Sequence, residues 1–406
     1  MNTLHRIFSS GLLALSVVAF GAAAQDPHAQ HKGMKSARVE LGTSAAVDSQ
    51  GRLWVATVEP GAERAAGSYV VLQMSSDMGK TWSPAVRAQQ APEPIEAAGE
   101  SRPKLAFGLR DEIYLAYTKP LSKPYTGEIR FIRSIDGGQT FAAPMTVHAN
   151  RDLITHRFES MIVDRTGRIY IAWIDKRDST AAKARNEKYA GAAVYYAVSD
   201  DGGASFRGDY KLADHSCECC RIALALNAQG RPVTMWRHVF EPNVRDHALA
   251  ELRSDGKPAT TSRVTFDDWQ VDVCPHHGPG LAFGPDGTRH QVWFDVKDNE
   301  GGLFYAASDA AGVIGKPVRL GAAQAEHADV AAQGKNVVLA WKQFDGKETA
   351  VLSRVSLDAG HSWQERELAR TSGASDEPRL VNTPDGIVLV WRTRNEGMRA
   401  VPADRR

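Results

Sequence analysis

Ser134-Ile-Asp-Gly-Gly-Gln-Thr-Phe141 is the most informative segment of this sequence about its fold, because the same pattern recurs three more times. The other copies are Ser75-Ser-Asp-Met-Gly-Lys-Thr-Trp82, Ser199-Asp-Asp-Gly-Gly-Ala-Ser-Phe206 and Ser356-Leu-Asp-Ala-Gly-His-Ser-Trp363. They share the form S-x-D-x-G-x-x-[WF]. In such a turn the Ser and Asp side chains satisfy backbone groups, Gly takes a positive-φ position, and the aromatic residue packs back onto the strands. The predicted structural turn residues are therefore Asp77, Asp136, Asp201 and Asp358.

A second repeat lies in phase with these turns. It consists of an apolar strand, a turn that ends in Gly, and another apolar strand rich in β-branched and aromatic residues, such as Arg168–Trp173. The aligned strand ends are Thr57, Tyr117, Trp173, Trp236, Trp293, Trp341 and Trp391. Repeats of about 50 residues with several strands each are typical of propeller blades. The sequence therefore predicts an all-β fold, a β-propeller of four-stranded antiparallel blades, with seven blades favoured over six.

The four turns resemble the Asp-boxes, or BNR repeats, of the sialidase-like β-propeller superfamily, and the resemblance covers nearly all of the chain after its N-terminal segment. It implies an architecture, since Asp-boxes are structural turns. The resemblance also implies what a sialidase would need: three Arg, a Tyr nucleophile with its Glu, and an Asp acid/base. The chain has no Tyr after Tyr305 and lacks the family's Arg-Ile-Pro signature. The sequence therefore favours a member that is not a sialidase, and it leaves enzymatic activity of another kind open while favouring a non-enzymatic role.

Composition and charge exclude several classes of function. The chain has 406 residues with 49 Lys and Arg against 48 Asp and Glu, and its net charge of +1 does not predict a nucleic-acid binder. Hydrophobic residues make up 43%, which is enough for a buried core. After the N-terminal segment there is no apolar run of about 18 residues, so the sequence predicts no membrane span.

The N-terminal segment has the features of an export signal. Residues 1–24 combine Arg6, the apolar run Leu12–Phe20 and a small-residue cleavage site, which predicts a secretory signal peptide and a periplasmic protein. Residues 25–36 are predicted to form a flexible tail whose candidate metal ligands are His28, His31 and Met34. Residues 37–406 are predicted to form a single propeller domain, in which 37–41 supplies a strand that closes the ring.

The cysteines form the second distinctive pattern. Cys217, Cys219 and Cys220 lie within four residues, and Cys274 shortly precedes His276 and His277. Cys220 lies 16 residues before Trp236, and His277 lies 16 residues before Trp293, so both precede equivalent inner strands of neighbouring blades. In a propeller these positions lie beside the central channel. The sequence thus predicts that the two motifs meet at the channel mouth.

Two interpretations of this pattern compete. In an exported protein, four Cys can form two disulfides that fasten blade four to blade five. However, the adjacent Cys219 and Cys220 would point to opposite faces of a strand, and disulfides leave the neighbouring His residues unexplained. Thiolates and imidazoles together suit copper, with zinc as the alternative. The predicted metal ligands are Cys217, Cys219, Cys220, Cys274, His276 and His277, and further candidates are His215, His156, His327 and Glu218.

The functional hypothesis from sequence is a periplasmic metal-binding propeller for copper homeostasis. Its partners would be the metal ion and another periplasmic metal-handling protein. The alternatives are a sialidase-like glycoside hydrolase that uses a carboxylate pair and a non-catalytic binding scaffold with structural disulfides. His238 and His247 follow the second strand of blade four and are interpreted as surface or loop-packing residues, because that loop is expected to turn away from the channel mouth.

Overall fold

The structure, a computed structural model, describes residues 41–62, 67–271, 276–297 and 300–405. The predicted signal peptide, the predicted tail with its His and Met residues, residues 37–40 of the predicted closing strand, and Cys274 lie outside these ranges. Within them, strands form seven antiparallel sheets, and helical structure is limited to α1 (Arg177–Ala184) and a short 3-10 turn (Gly99–Ser101). Among the described residues, no helix has the length and apolar character needed to cross a membrane.

Each sheet is built from consecutive strands and is one blade. Blade 1 contains β1 (Ser44–Val47), β2 (Leu53–Pro60), β3 (Ser68–Ser75) and β4 (Val86–Arg87). Blade 2 contains β5 (Lys104–Phe107), β6 (Ile113–Pro120), β7 (Gly127–Ser134) and β8 (Met145–Thr146). Blade 3 contains β9 (His156–Val163), β10 (Ile169–Asp175), β11 (Ala192–Ser199) and β12 (Arg207–Ser216). Blade 4 contains β13 (Ala223–Leu226), β14 (Pro232–Arg237), β15 (His247–Glu251) and β16 (Ser262–Arg263).

The remaining three blades follow the same order. Blade 5 contains β17 (Gly280–Phe283), β18 (Arg289–Lys297), β19 (Glu300–Ser308) and β20 (Val318–Leu320). Blade 6 contains β21 (Ala325–Gln333), β22 (Asn336–Phe344), β23 (Thr349–Ser356) and β24 (Gln364–Thr371). Blade 7 has three strands within the described ranges, β25 (Arg379–Thr383), β26 (Gly386–Thr393) and β27 (Gly397–Pro402).

The first strand of every blade lies at the centre of the molecule, where it contacts the first strands of both adjacent blades. β1 contacts β5 on one side and β25 on the other, so that blades 1 and 7 close the ring. The predicted seven-blade β-propeller is confirmed. Closure matters because an open ring would leave inner strands exposed at two edges.

The aligned aromatic residues lie on the second strand of their blades, as predicted. Five tryptophans in this column are less than 2% exposed: Trp173, Trp236, Trp293, Trp341 and Trp391. Trp236 of blade 4 packs among residues of blade 3, including Phe158 and Tyr196. Because the indole bridges two blades, truncating it to alanine would cost about 3–5 kcal/mol. The column therefore holds neighbouring blades together and accounts for the repeat in the sequence.

The four S-x-D turns connect the third and fourth strands of blades 1, 2, 3 and 6 and share one hydrogen-bond pattern. In blade 2, Asp136 Oδ1 accepts from the hydroxyl of Ser134 at 2.7 Å and from the backbone N–H of Thr140 at 2.9 Å. The Thr140 hydroxyl donates to Asp136 Oδ2 at 2.5 Å, and the Gly138 N–H donates to Ser134 Oγ at 2.9 Å. Phe141 then packs against the core between blades 1 and 2. The predicted role of the Asp in the turn is what the geometry shows.

Replacing Asp136 by alanine is expected to lower the Tm by several degrees at neutral pH, because three donors lose their acceptor. Hydrogen bonds, first that from the Thr140 hydroxyl, lower the pKa of Asp136 from 3.8 to about 2. A lowered folded-state pKa stabilises the protein above pH 3.8, and this contribution is lost as the pH falls towards 2. The difference in Tm between the wild-type protein and Asp136→Ala should therefore shrink as the pH is lowered from 3.8 towards 2, as measured by thermal unfolding. Asp385→Ala, in an exposed turn of blade 7, is the control and should leave the Tm unchanged.

Candidate functional site

Cys217, Cys219 and Cys220, here called the cysteine cluster, lie in the irregular segment that connects β12 to β13. The Cys217 N–H donates to the Arg237 carbonyl at 2.9 Å and fixes this segment against the end of β14. The Cys217 sulfur lies 3.9 Å from that of Cys219 and 3.8 Å from that of Cys220. All three sulfurs lie within 4.8 Å of one another. These separations are well beyond the S–S bond length of about 2.05 Å, so the three sulfurs are not bonded to each other.

The cysteine cluster is buried between blades 3 and 4. Each of the three residues is at most 5% exposed, and they pack with Phe158, Ile222 and Trp236. The residues that line the central channel in this region are Arg221 and Ile222. The cluster thus lies beside the start of the inner strand, as predicted, but within the blade interface and not on the channel wall.

Two arginines place positive charge beside these sulfurs. Arg245 Nη1 lies 3.8 Å from Cys217 Sγ. The fully buried Arg237 is an electrostatic neighbour of Cys217 and Cys220, and its guanidinium donates to the carbonyls of Arg245 and Phe294 at 2.8 and 2.5 Å. The hydrogen bond that the Cys220 thiol donates to Cys217, together with burial, raises the pKa of Cys220. The thiols thus share a buried site in which two cations face any negative charge that develops on sulfur.

The loop after β14 returns to the cysteine cluster, contrary to the interpretation from sequence. β14 runs antiparallel to β13, so its end lies beside the start of β13. His247, the first residue of β15, is completely buried and is an electrostatic neighbour of Cys217. The interpretation of His247 as a surface or loop-packing residue was wrong because the second strand of a hairpin ends where the first one begins. His238 is partly buried and contacts the ring of Phe240.

A second polar group, here called the channel-mouth network, closes the top of the channel. Its members come from blades 2, 4, 6 and 7 or their connections, and they are Glu100, Arg102, Arg221, His327, Asp376 and Glu377. The Arg221 guanidinium lies 2.5 Å from Glu100 and 3.4 Å from Glu377, whereas Arg102 lies 2.8 Å from Glu377 and 3.1 Å from Asp376. Glu100 Oε2 also accepts from the N–H groups of Arg221 and Gly278, both at 2.9 Å.

His327 is the titratable group at the outer side of this network. Its Nδ1 lies 3.2 Å from a Glu377 oxygen and 3.6 Å from a Glu100 oxygen. Burial disfavours the imidazolium, but the two carboxylates outweigh that effect and raise the pKa of His327. Burial lowers the pKa of the neighbouring His277 to about 3. The two rings lie 4.6 Å apart, so one imidazole favours its charged form and the other stays neutral.

The other predicted ligands occupy separate environments. His277 stacks on Phe294 at 4.2 Å, and its carbonyl lies 3.5 Å from Arg237 Nη2. His276 is exposed, with a φ of 55°. The ring of His156 stacks on that of His148 with the centroids 3.9 Å apart, and the ring of His215 packs on that of Tyr189 with the centroids 4.7 Å apart. Glu218 forms an ion pair with Lys176, whose Nζ lies 2.5 Å from the Glu218 carboxylate. Of the predicted ligands within the described ranges, Cys217, Cys219 and Cys220 lie together, whereas the rings of His277 and His327 lie side by side next to the channel-mouth network.

Sequence reasoning missed Arg237, Arg245 and Glu100 as site residues. The blade repeat does contain a signal for two of them, since Glu100 and Cys219 occupy equivalent positions before Tyr117 and Trp236, and Arg237 directly follows Trp236. Arg245 has no such signal, because it lies in the loop between β14 and β15, outside the repeated positions.

Comparison with known proteins identifies the fold and not an activity. The sequence matches no protein family and no curated protein. A protein of unknown function from Dyadobacter fermentans aligns with a TM-score of 0.52 and 16% identity over 78% of this chain and 93% of that one. An ulvan lyase bound to -[GlcA(1-4)Rha3S]- aligns with a TM-score of 0.56 and 10% identity, over 89% of this chain and 91% of the lyase. Penicillium chrysogenum α-L-arabinanase complexed with arabinobiose aligns with a TM-score of 0.50 and 15% identity, over 79% of this chain and 94% of the arabinanase. This chain is thus a seven-blade β-propeller with carbohydrate-active enzymes among its structural neighbours.

Proposed function

We propose that this chain is an exported metal-binding propeller of the sialidase-like superfamily that holds a soft metal ion, copper first and zinc as the alternative, in its cysteine cluster. The observation that carries the proposal is the approach of three sulfurs to within 4.8 Å of one another in a buried site. The signal peptide predicted for residues 1–24 supports a periplasmic location, where such a protein would exchange its ion with another metal-handling protein.

The spacing of the sulfurs supports coordination of a single ion. Metal–thiolate bonds of about 2.3 Å place the ligand sulfurs about 3.8–4.0 Å apart, whether the ion is tetrahedral or trigonal. The separations of Cys217 from Cys219 and from Cys220 are 3.9 and 3.8 Å. The cluster would therefore accept an ion with little rearrangement.

Charge and ligand chemistry support Cu(I) over Zn²⁺. Thiolate ligands select soft ions such as Cu(I), whereas a structural Zn²⁺ takes four ligands and the described sulfurs supply three. Cu(I) with three thiolates carries two negative charges. The guanidinium groups of Arg245, 3.8 Å from Cys217, and of the buried Arg237 offset them. When bound, the ion would supply a soft cationic centre, and this chain's own residues would desolvate it and balance its charge.

Titration of the reduced protein with Cu(I) under anaerobic conditions, against a chromophoric chelator, tests the proposal. We expect about one Cu(I) per chain, bound tightly enough to compete with the chelator. A parallel count of free thiols on the unfolded, unreduced protein tests the alternative function, a binding scaffold with structural disulfides. Reduced protein that leaves all the Cu(I) on the chelator would overturn the metal site, and cysteines recovered as disulfides would then assign them a structural role.

A further inference from the structure

The central channel contains a cavity of about 470 Å³. Its walls are the inner strands of all seven blades, so the cavity exists only because the ring closes. The channel-mouth network lies at one end, where the inner strands begin. The walls run along these strands to Leu226, Phe283, Ala332 and Asn382 near their opposite ends. The volume is within the range of small-molecule sites, which are about 300–1,000 Å³.

Cations face this cavity, and most of their acidic partners lie behind them. The basic residues that line it are Arg102, Lys104, Arg221 and Arg379, and the one acidic residue among the described residues of the lining is Asp329. The carboxylates of Glu100 and Glu377 are occupied by Arg221 and Arg102 and are not part of the lining. The cavity wall near the network is therefore more positive than the residue composition of the network suggests.

Arg379 and Lys104 retain donors that no described side chain or backbone group uses. Arg379 is 33% exposed and makes no hydrogen bond to the described residues; Asp329 is its nearest acid at 3.6 Å. Asp329 Oδ2 itself accepts from the Leu380 N–H at 2.9 Å. Lys104 Nζ donates to the Arg102 carbonyl at 2.5 Å and lies 3.8 Å from Glu159, which is too far for a hydrogen bond. A planar guanidinium with free donors is suited to bidentate recognition of an oxyanion.

The electrostatics of Lys104 agree with this geometry. Burial lowers the pKa of Lys104 to about 8; Glu159 raises it, whereas Arg102, Arg379 and Arg221 lower it further. An anion bound among Lys104 and the three arginines would relieve the repulsion between these four cations. The hydroxyls of Ser44 and Ser160, which also line the cavity, already donate to the carbonyls of Pro103 and Ile222, so the free donors belong to the cations.

We propose that the central channel binds a small oxyanion, which Arg379 and Lys104 hold below the channel-mouth network. Phosphate and carboxylate groups share the required chemistry. Apolar wall residues such as Leu105, Leu224 and Leu281 would also cover the carbon skeleton of an organic acid. The site involves none of the cysteines and is independent of the metal proposal.

Calorimetric titration with inorganic phosphate and with benzoate, at constant ionic strength set by NaCl, tests this site. We expect saturable binding of one anion per chain, weakened about 10-fold or more in Arg379→Gln and partly retained in Arg379→Lys. Arg185→Gln is the matched control, since Arg185 directly follows α1, its side chain is 59% exposed and its replacement should leave the Kd unchanged. Tighter binding of benzoate would identify an organic acid, and tighter binding of phosphate an inorganic or phosphorylated ligand.

Two outcomes would overturn the proposal. One is the absence of saturable binding of either anion above the NaCl background. The other is a wild-type Kd in a folded Arg379→Gln or Arg379→Lys protein, because the anion would then lie elsewhere. Far-ultraviolet circular dichroism and the Tm of each variant establish that it is folded. Arg379 donates no hydrogen bond within the described structure, so its replacement should leave the fold intact.

Discussion

Replacing Cys217, Cys219 and Cys220 together by serine is expected to abolish Cu(I) binding. Serine keeps the approximate size of the side chain and removes the soft ligand atom, so the buried site loses the chemistry that favours Cu(I) over water and chelator. Each single Cys→Ser variant should weaken binding by about 100-fold or more, because the sulfurs would act on one ion. Anaerobic competition with a chromophoric chelator measures both effects.

The same segment offers a matched control for this prediction. Glu218 lies between two of the cysteines, but its carboxylate pairs with Lys176 at 2.5 Å. Glu218→Gln should therefore leave the Cu(I) affinity unchanged. Copper bound by the triple variant at the wild-type stoichiometry would show that the ion lies elsewhere. An equal loss in Glu218→Gln would show that the segment matters through its conformation and not through its thiols.

Arg221→Met should destabilise the propeller by about 3–5 kcal/mol, the cost expected when one partner of a buried ion pair is removed. The guanidinium of Arg221 contacts Glu100 at 2.5 Å and Glu377 at 3.4 Å, and it donates to the Ala328 carbonyl at 2.9 Å. Methionine would leave the buried carboxylates of Glu100 and Glu377 with less positive charge beside them. Urea unfolding and the Tm of the purified variant measure the loss.

Two further variants separate the ion pair from simple loss of packing. Arg110→Met, at a side chain that is 89% exposed, should change the stability by less than about 0.5 kcal/mol. Adding Glu100→Gln to Arg221→Met should recover part of the loss, because it removes one uncompensated charge. A double variant that is less stable than Arg221→Met by the full cost of Glu100→Gln alone would contradict the role of charge.

The predictable part of this protein was the part that repeats. The aligned column of strand ends, in which five of the seven residues are tryptophan, predicted the second strand of each blade. The S-x-D motifs predicted turns whose hydrogen bonds span only four residues or fewer, as from Thr140 to Asp136. Each copy is an independent sample of the same local physics, namely β propensity, turn chemistry and an aromatic side chain that must be buried. Seven copies in register left little choice of architecture.

The site was predictable only where its members are close in the chain. Cys217, Cys219 and Cys220 meet because they share one short segment, and their spacing already indicated a soft-ligand group. The prediction that Cys and His side chains form one ring at the channel mouth did not anticipate their orientation. Cys217, Cys219 and Cys220 point into the interface between blades 3 and 4, whereas Arg221, next to Cys220, points to the channel.

The blades, the turns and the closeness of three thiols were thus predictable from the amino-acid sequence, because they depend on contacts within about one repeat. Which groups share the channel depends instead on how the seven blades are arranged in the ring. Glu100 meets Arg221 across 121 residues, and Arg221 meets Glu377 across 156. Closure of the ring brings these charges together, and it leaves Arg379 and Lys104 facing a cavity that no single blade contains. Such contacts are set by the angle between blades, which local propensity does not encode.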